Sequence, residues 1–494
     1  MNVLLVYPEY PDSYFGFKYS LRFISKKASV PPIGLITVSA MLPSDWNKKL
    51  IDMNISPLLS SELEWADYVF ISAMMIHKES LKRVIEKCRK HQVTIVAGGP
   101  LFTHDYLNYP EVDHFILNEA ELAFPDFLHD LKTGNQVQRI YKAERYPDLK
   151  TSPLPDFHLL ARDEYAYMNV EVSRGCPFSC DFCEIPTILG HKVRVKESEQ
   201  FIKELETLYK LNWRGWVFIV DDNFIGNKKQ IKGSILPAMI AWMKQRNHPF
   251  EFYVQCSIDL VDDEELMSMM LEAGITSTFL GIETPSEISL HESKKVQNEN
   301  RDLLKSVNKL QNSGFQVSGG FIVGFDSDTS SVFQRQIDFI QKSGIVWAVV
   351  GLLNAPPGTK LYQRLEDENR ISQEPTGNNI DYTMNFIPKM DKDELLKGYR
   401  NIIENIYEIK PYYARIRQFA KNFKPIKQSV RRFESFYITA FLKSMIIIGI
   451  INPGRGGYWK LLLWTVFKKP GLIKEVIIYI ITGYHFRKVY RINP

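Results

Sequence analysis

One short stretch decides how this chain folds and works: Ser173-Arg174-Gly175-Cys176-Pro177-Phe178-Ser179-Cys180-Asp181-Phe182-Cys183. Its cysteines follow the spacing C-x3-C-x2-C, which brings three thiolates together within one loop. Such a loop can wrap a 4Fe–4S cube while binding only three of its four irons. The fourth iron then stays open to an exchangeable ligand, as the open position of a catalytic zinc site does. Because electron-transfer ferredoxins supply four cysteines per cluster, three cysteines favour chemistry at the open iron.

The remaining cysteines indicate the cellular compartment of the protein. The chain has five cysteines, and the two outside the loop, Cys88 and Cys256, are isolated. This pattern is not the disulfide framework of a small secreted protein. The apolar run at residues 1–6 lacks the basic flank of a signal peptide and is typical of a strand, so we expect a cytoplasmic protein. For Cys256 we expect a place in the core, with the active site as the alternative. For the three-cysteine loop, the alternative is chance clustering or an incomplete zinc knuckle.

Residues 1–145 alternate short apolar runs with amphipathic stretches, which predicts an α/β domain with a Rossmann-like, doubly wound parallel sheet. Ligands of such sheets bind at the carboxyl ends of the strands. At these ends lie Ser72 and the pair Gly98-Gly99, whose missing side chains let the backbone approach a bulky ligand closely. The alternative is a sheet that has lost its ligand. The candidate strands are Val3–Val6, Val69–Ser72, Val93–Ala97 and His114–Leu117, and the candidate helices are Ile33–Leu42, Ser80–Lys90 and Ala120–Lys132.

A linker with three prolines, Tyr146–Pro155, favours an extended connection to a second region. Residues 160–372 contain six predicted strand–helix units, two short of a full barrel, and predict a partial (βα)6 barrel. Asp221, Asp222 and Glu283 follow two of its strands, at the end of a barrel where a cofactor is held. Helix capping is the alternative role of such residues. The predicted strands lie near Val170–Ser173, Val217–Val220, Phe252–Gln255, Thr278–Ile282, Gln316–Val323 and Val346–Leu352.

Residues 373–494 have no barrel-like repeat and predict a mainly helical, basic domain. From residue 409 onward the chain holds 17 lysines and arginines but only two acidic residues, Glu434 and Glu475. The apolar stretches Tyr437–Ile451 and Leu472–Ile481 are shorter than the ~20 residues of a membrane-spanning helix. Their basic flanks are typical of helices that lie on an anionic membrane surface. An ordinary helical cap on the barrel is the alternative, and nucleic acid is not the expected partner. The flanking residues are Lys424, Lys427, Arg431, Arg432, Lys468, Lys469, Arg487, Lys488 and Arg491.

The central region contains four motifs, Ser173–Phe178, Val220–Asn227, Gly281–Pro285 and Gly320–Asp326. They resemble the motifs of cobalamin-dependent radical SAM enzymes, in particular the subgroup that contains the bacterial hopanoid methylase. The segments Val30–Leu35 and Ala97–Pro100, together with Asp52, resemble the cobalamin-binding domain that precedes such barrels. The D-x-H-x-x-G motif that supplies a histidine to cobalt is missing from the sequence. The resemblance therefore implies a cobalamin whose lower face has no histidine ligand.

The resemblance also implies three cofactors and a role for each candidate residue. Cys176, Cys180 and Cys183 bind the 4Fe–4S cluster, whose open iron takes S-adenosylmethionine. Asp222 or Asp221 accepts hydrogen bonds from the methionyl ammonium. Glu283 binds the ribose hydroxyls, since a carboxylate accepts two hydrogen bonds at once. Ser327 stands where the family's adenine motif has a glutamate, so only the motif's other residues are carried over. The other implied contacts are Gly320, Ile322 and Gly324 beside the adenine, Phe182 in the cluster loop, and Ser72, Gly98 and Gly99 at cobalamin.

The implied reaction is the C-methylation of an unactivated carbon in an apolar or natural-product-like substrate. Reductive cleavage of S-adenosylmethionine creates a radical that removes hydrogen from the substrate, and cobalamin delivers the methyl group. A non-methylating radical rearrangement or cyclisation is the alternative. A non-enzymatic iron–sulfur electron carrier or sensor is the second alternative. The expected partners are a small-molecule substrate, an electron donor such as flavodoxin or ferredoxin, and, through the basic tail, the inner face of the membrane.

Overall fold

A computed structural model describes residues 1–425 and 435–492 of the 494-residue chain. Residues 1–142, all of them described, form a six-stranded parallel sheet in the order β2-β1-β3-β4-β5-β6. This is the predicted doubly wound topology, with its switch point between β1 and β3. The strands are β1 Asn2–Tyr7, β2 Asn47–Asp52, β3 Tyr68–Ser72, β4 Thr94–Gly98, β5 His114–Leu117 and β6 Ile140–Lys142.

Both faces of this sheet are covered by helices. Leu4 and Val6 of β1 belong to one apolar core, which includes side chains of the helix Lys78–Lys90. Val3 and Leu5 point to the other face, in a core that includes Leu35. This alternation is what a strand buried on both faces requires. β2 and β6 were not among the predicted strands, because they are edge strands with polar sequences such as Asn47-Lys48-Lys49.

The second parallel sheet lies within residues 168–352, all of them described, and has six strands in the order β7-β10-β11-β12-β13-β14. The predicted partial barrel is confirmed. The predicted strand Val170–Ser173 is wrong as one strand, because the chain leaves the sheet after Val170 and starts a separate antiparallel ribbon at Ser173. The strands are β7 Met168–Val170, β10 Gly215–Ile219, β11 Phe250–Cys256, β12 Ile275–Glu283, β13 Gln316–Val323 and β14 Ala348–Leu352, and the ribbon consists of β8 Ser173–Arg174 and β9 Arg194–Val195.

Helices connect these strands and form the carboxyl-terminal region. In the first sheet domain they are α1 Lys18–Leu21, α2 Ile33–Met41, α3 Ser60–Trp65, α4 Lys78–Lys90, α5 Pro100–Asp105 and α6 Ala120–Thr133. Around the barrel they are α7 Ile185–Leu189, α8 Ser198–Lys210, α9 Lys228–Gln230, α10 Leu236–Gln245, α11 Glu264–Glu272, α12 Glu287–Glu292, α13 Leu303–Ser313, α14 Ser331–Ser343 and α15 Lys360–Asp367. The carboxyl-terminal helices are α16 Lys392–Tyr407, α17 Ile409–Asn422, α18 Ser435–Ile446, α19 Arg455–Lys468 and α20 Ile473–Val489.

The carboxyl-terminal helices pack against the barrel. Tyr407 at the end of α16 donates a 2.5 Å hydrogen bond to Ala348 O of β14. A π-helical stretch, Ile447–Ile451, extends α18. Among the described residues, no helix is both long and apolar enough to cross a membrane. The basic residues Lys427, Arg431 and Arg432 of the predicted flank lie outside the described residues.

The segment Tyr14–Pro31 connects the two edges of the barrel sheet. The hydroxyl of Tyr14 donates to Val350 O of β14 at 2.5 Å. At the other edge, Tyr167 N donates to Ser29 O at 2.9 Å, just before β7. Asn169 Nδ2 within β7 donates to Pro31 O at 2.9 Å. A segment from the first sheet domain therefore contacts both edges of the second sheet.

Cys256 is buried at the end of β11, and its thiol lies 2.8 Å from Thr278 Oγ1 of the neighbouring strand β12. Burial raises the pKa of this thiol to about 12. The predicted core position of Cys256 is confirmed.

Candidate functional site

The cysteine loop is held by backbone contacts along its length. Gly175 has a φ of +97°, and a Cβ at this position would lie 2.9 Å from Gly190 O. Glycine adopts such a conformation without steric cost. Cys176 N donates to the same Gly190 carbonyl at 3.2 Å. Asp181 N donates to Ser293 O at 3.0 Å, and an amide at the start of α15 donates to Asp181 O at 2.9 Å. The loop therefore has a fixed course beside the segments that follow β12 and β14.

The three thiols of the loop lie close to one another. Cys180 is buried, whereas Cys176 and Cys183 are partly exposed. Burial raises the pKa of Cys176, and raises that of Cys183 to about 12, with the nearby Cys180 adding to both shifts. In the described part of the chain, no three Cys, His, Asp or Glu side chains are close enough to bind one metal ion. Three thiols that lie close together in one short loop fit a 4Fe–4S cluster.

Asp221 and Asp222, which follow β10, have different surroundings. The carboxylate of Asp221 is buried and accepts hydrogen bonds from Val172 N at 2.8 Å and Ser173 Oγ at 2.6 Å. Burial raises the pKa of both aspartates to about 7, and the neighbouring Asp221 adds to the shift of Asp222. Asp222 also raises the pKa of Cys176, so it lies near the loop. Asp221 anchors the start of the cysteine loop, which leaves Asp222 as the available carboxylate of the two.

Glu283 ends β12 and pairs with a lysine that the sequence analysis missed. Its Oε1 accepts a 2.7 Å hydrogen bond from Lys295 Nζ. Glu283 has a φ of +61°, beside an irregularity in the pairing with β13, and such a conformation costs of order 1–3 kcal/mol. Burial disfavours the Lys295 charge, but Glu283 and the thiols of Cys180 and Cys183 outweigh burial and raise the pKa of this lysine. Lys295 Nζ also lies 5.9 Å from the centre of the Phe182 ring. The Glu283 carboxylate and the Lys295 ammonium therefore form an ion pair that lies next to the cysteine loop.

Gly320 within β13 and Gly324 just after it carry no side chains. A Cβ at Gly320 would lie 3.1 Å from an aromatic ring of β12, and Gly324 has a φ of +107°. Ile322, between these glycines, is partly buried. The ring of Phe182 contacts Phe325, next to Gly324, at a centroid distance of 6.2 Å. The predicted adenine contacts thus lie beside the cysteine loop, on the strand next to the one that Glu283 ends.

The carboxyl edge of the first sheet brings Ser72, Gly98 and Gly99 together. Gly99 has a φ of +98°, and a Cβ there would lie 3.0 Å from Ser72 Oγ. The segments after β3 and β4 hold two buried nitrogen atoms without a hydrogen-bond partner among the described residues, Nε2 of His77 and of His104. Bare backbone and unsatisfied polar atoms at this edge fit a large ligand rich in amide groups, as cobalamin is.

An ion cluster that the sequence analysis missed joins the two sheet domains beside the cysteine loop. Arg174 lies 2.7 Å from Glu119, 2.8 Å from Glu121 and 2.8 Å from Glu171. Arg194 of the ribbon lies 2.8 Å from Glu119. Glu119 and Glu121 follow β5 of the first sheet. These side chains are largely buried, and buried charges are stable only with such pairing. The one sequence signal was the position of Arg174 two residues before the first cysteine.

Comparison with known proteins agrees with this geometry. Three family models match the chain: the B12 binding domain at residues 20–128, the radical SAM superfamily at 170–340, and a domain of unknown function (DUF4070) at 359–493. The chain is 35% identical to an uncharacterized methyltransferase of Synechocystis sp., over 98% of this chain and 91% of that protein. It is 28% identical to the hopanoid C-2 methylase of Rhodopseudomonas palustris, over 98% of this chain and 92% of that protein.

Two solved structures share the fold. OxsB, a cobalamin-dependent S-adenosylmethionine radical enzyme with aqua-cobalamin and S-adenosylmethionine bound, matches with a TM-score of 0.62 at 16% identity. The match covers 99% of this chain and 80% of OxsB. TsrM, a radical S-adenosylmethionine methyltransferase from Kitasatospora setae with cobalamin and a 4Fe–4S cluster bound, matches with a TM-score of 0.60 at 14% identity, over 81% of this chain and 85% of TsrM.

The chain belongs to the family of cobalamin-dependent radical SAM methylases, and it is an enzyme. Its cofactors are a 4Fe–4S cluster, S-adenosylmethionine and cobalamin. The predicted resemblance, fold class and reaction class are confirmed. The electron-carrier alternative and the non-methylating alternative are set aside. The roles of individual residues and the domain boundaries stay predictions.

Proposed function

We propose that the protein C-methylates an unactivated carbon of an apolar, lipid-like substrate at a membrane surface. When bound, the cofactors supply reductive cleavage of S-adenosylmethionine and a transferable methyl group. The similar enzyme of R. palustris is named for methylation of hopanoids, which are polycyclic lipids. The apolar surface of the carboxyl-terminal domain, described below, is the observation that carries the membrane part of the proposal.

The proposal assigns the barrel residues as follows. Cys176, Cys180 and Cys183 bind the cluster, and Asp222 accepts hydrogen bonds from the methionyl ammonium. The support for Asp222 is its nearness to Cys176 and the lack of another residue's hydrogen bond to its carboxylate in the described ranges. Glu283, oriented by Lys295, binds the ribose hydroxyls. Gly320, Ile322 and Gly324 offer the adenine a surface without bulky polar groups, beside Phe182.

In the first domain, the proposal assigns cobalamin to the carboxyl edge of the sheet, at Ser72, Gly98 and Gly99. The domain division is 1–145 for cobalamin binding, 160–372 for the barrel and 373–494 for the helical domain. The ion cluster around Arg174 supports this arrangement, because it fixes the turn after β5 against the start of the cysteine loop. The ion cluster would thereby hold the proposed cobalamin edge of the first sheet in a fixed position relative to the cysteine loop.

The carboxyl-terminal domain carries an apolar stripe, defined here as Ile438, Leu442, Ile446, Ile450, Ile451, Leu463, Val466 and Phe467. Four of these residues follow each other at four-residue spacing along α18 and its extension, so they share one helix face. Each residue of the stripe is between 42% and 78% exposed. The exposed cations Arg455, Lys460 and Lys468 lie on α19, which packs on that extension. Apolar surface flanked by cations suits an anionic lipid surface.

The remaining partner in the proposal is an electron donor of the flavodoxin or ferredoxin class in the cytoplasm. Two exposed lysines, Lys192 and Lys294, flank the cysteine loop. Lys294 contacts Asp181 of the loop at 3.1 Å. Cations around a redox site favour encounter with an acidic donor protein.

The test is anaerobic incubation of the reconstituted enzyme with methyl-deuterated S-adenosylmethionine, a reductant and a bacterial lipid extract. We expect 5′-deoxyadenosine and a deuterated lipid, both of which Cys180→Ala abolishes. Formation of 5′-deoxyadenosine with label only in the water-soluble fraction would overturn the lipid assignment. Undiminished 5′-deoxyadenosine with Cys180→Ala would overturn the cluster assignment.

A further inference from the structure

A cavity of about 950 Å³ lies at the amino-terminal ends of the barrel strands, closed by the carboxyl-terminal helices. Gly215 and Trp216 at the start of β10 and Gln316 at the start of β13 line one side. Residues of α18, α19 and α20 line the other. The cysteine loop follows the carboxyl end of a strand, so the cavity and the cluster site lie at opposite ends of the barrel. The volume is at the upper end of the range for small-molecule sites.

The wall of the cavity is mainly apolar and aromatic, with Trp213, Trp216 and Trp347 among its residues. Its lysines and arginine already have protein partners. Lys26 Nζ donates to Asp163 O at 2.7 Å, Lys474 pairs with Glu251 at 2.8 Å, and Arg214 donates to Tyr209 O at 2.9 Å. The protein therefore already engages N–H groups of all three cations, and the mainly apolar wall favours a neutral, apolar ligand.

The inner end of the cavity lies inside the lower part of the barrel, below the proposed cofactor site. Ser277, Ser318 and Trp347 line this end, and the indole nitrogen of Trp347 is buried without a hydrogen-bond partner in the described ranges. Along β13, Ser318, Gly320 and Ile322 face the same side, because side chains alternate along a strand. Gly351 pairs with Ile322 in the neighbouring strand, and a Cβ at Gly351 would meet no atom within 4 Å. Small residues thus continue upward along β13 and β14, and the ring of Phe279 lies over Gly320, between the cavity and Gly351.

The outer end of the cavity opens at the apolar stripe. Ile438 of α18 and Val466 of α19 line the cavity, and they are also 48% and 42% exposed. Both residues belong to the stripe that the proposed function places on the membrane. An apolar molecule that leaves the membrane there would stay in contact with apolar side chains throughout its entry.

We propose that this cavity is the substrate chamber, and that it takes a neutral lipid with at most one hydroxyl directly from the membrane. The body of the lipid lies among the aromatic residues at the amino-terminal end of the barrel. Its leading end lies against Ser277 and Ser318, and the ring of Phe279 turns aside to let it reach Gly320 and Gly351, below the cofactors. This assignment specifies the class of substrate and its route of entry, and it rests on the proposed function.

The test uses the reconstituted full-length protein and two neutral probes, dehydroergosterol with one hydroxyl and squalene with none. Protein is incubated with phosphatidylglycerol vesicles that contain a probe, separated by gel filtration, and extracted for quantification. We expect about one probe molecule per chain. Ser277→Phe, at the inner end, and Ala440→Phe, on α18, each place a phenyl ring inside the cavity, and each of these filled variants should lower retention at least tenfold. Ser268→Phe, on the exposed face of α11, is the matched control and should retain probe as the unchanged chain does.

Retention of neither probe by the unchanged chain would overturn the chamber, as would full retention by both filled variants. Circular dichroism and the thermal midpoint show whether each variant folds, and two independent variants guard against loss of one. Formation of 5′-deoxyadenosine without lipid is measured on the same samples and reports whether each variant still assembles its cofactor site. Bound probe without label transfer to any lipid would count against the proposed function alone. Label transfer in both filled variants without loss would count against the chamber alone.

Discussion

Arg174 Nη1 and Glu119 Oε2 lie 2.7 Å apart, which joins the residue before Gly175 of the cysteine loop to the turn after β5 of the first sheet. The same guanidinium reaches Glu121 and Glu171, so one side chain binds three carboxylates. Arginine suits this position because its planar fork carries five N–H donors.

Replacing Arg174 by glutamine should lower the free energy of unfolding by about 3–5 kcal/mol, because it leaves buried carboxylates without their cation. Methyl transfer should fall more than 5′-deoxyadenosine formation, because only the former needs both domains in register. The measurements are urea unfolding and product ratios. Arg89→Gln is the matched control, since its pair with Asp113 is more exposed, and it should cost less than about 1 kcal/mol. Equal losses in the two variants would contradict the linking role.

Glu283 and Lys295 permit a test that separates fold from cofactor binding. Lys295→Met alone should destabilise the protein by about 3–5 kcal/mol, because the Glu283 carboxylate stays buried without its partner. The double variant Glu283→Gln with Lys295→Met should regain most of that stability. Binding of S-adenosylmethionine, followed by equilibrium dialysis, should nevertheless stay weak in the double variant. Recovery of both stability and binding would show that the pair is purely structural.

His485 of α20 should make the protein less stable in mild acid. Its Nε2 donates to Tyr14 O at 3.1 Å, while Nδ1 is buried without a partner among the described residues. Burial lowers the pKa of His485 to about 4, against the weaker opposing effects of backbone hydrogen bonds to Tyr14 and Ser13 and of the Asp12 charge. Between pH 6.5 and pH 4 the unfolded chain therefore binds a proton that the folded chain does not, and stability rises with pH in this window.

This contribution amounts to about 2 kcal/mol between pH 5 and pH 7. His485→Gln keeps an N–H donor but does not titrate. From pH 7 to pH 5, the free energy of unfolding of the variant should therefore fall by about 2 kcal/mol less than that of the unchanged protein. Urea unfolding at pH 5, 6 and 7 measures the difference. If the free energies of unfolding of the two proteins changed equally with pH, the imidazole of His485 would not be buried in its neutral form.

Ile446→Asp should weaken binding to phosphatidylglycerol vesicles about tenfold, because the apolar stripe loses a membrane contact and gains a repelled charge. Ile288→Asp on α12 is the matched control, an exposed isoleucine outside the stripe, and should bind as before. Vesicle co-sedimentation measures both. A loss of the same size in the control would assign the effect to net charge instead of the stripe.

The sequence identified the features whose chemistry is local. Three cysteines within eight residues, and glycines at strand ends, can be recognised from their spacing in the sequence. Their partners were not predictable in the same way, because Arg174 meets Glu119 across 55 residues and Lys295 meets Glu283 only after β12 ends. Adjacent aspartates were also indistinguishable in sequence. Only packing shows that Asp221 turns inward to Ser173 and that Asp222 does not.

The segment Tyr14–Pro31 has a consequence for how the enzyme can be dissected. It leaves the first sheet, contacts β14 at one edge of the barrel and the lead-in to β7 at the other, and returns. A truncated chain that starts at the proline-rich linker would lose both the cobalamin domain and the segment that connects the two edges of the barrel sheet. The first sheet domain therefore cannot be exchanged independently of the barrel. A chimaera with a foreign cobalamin domain would have to keep the segment Tyr14–Pro31 of this chain.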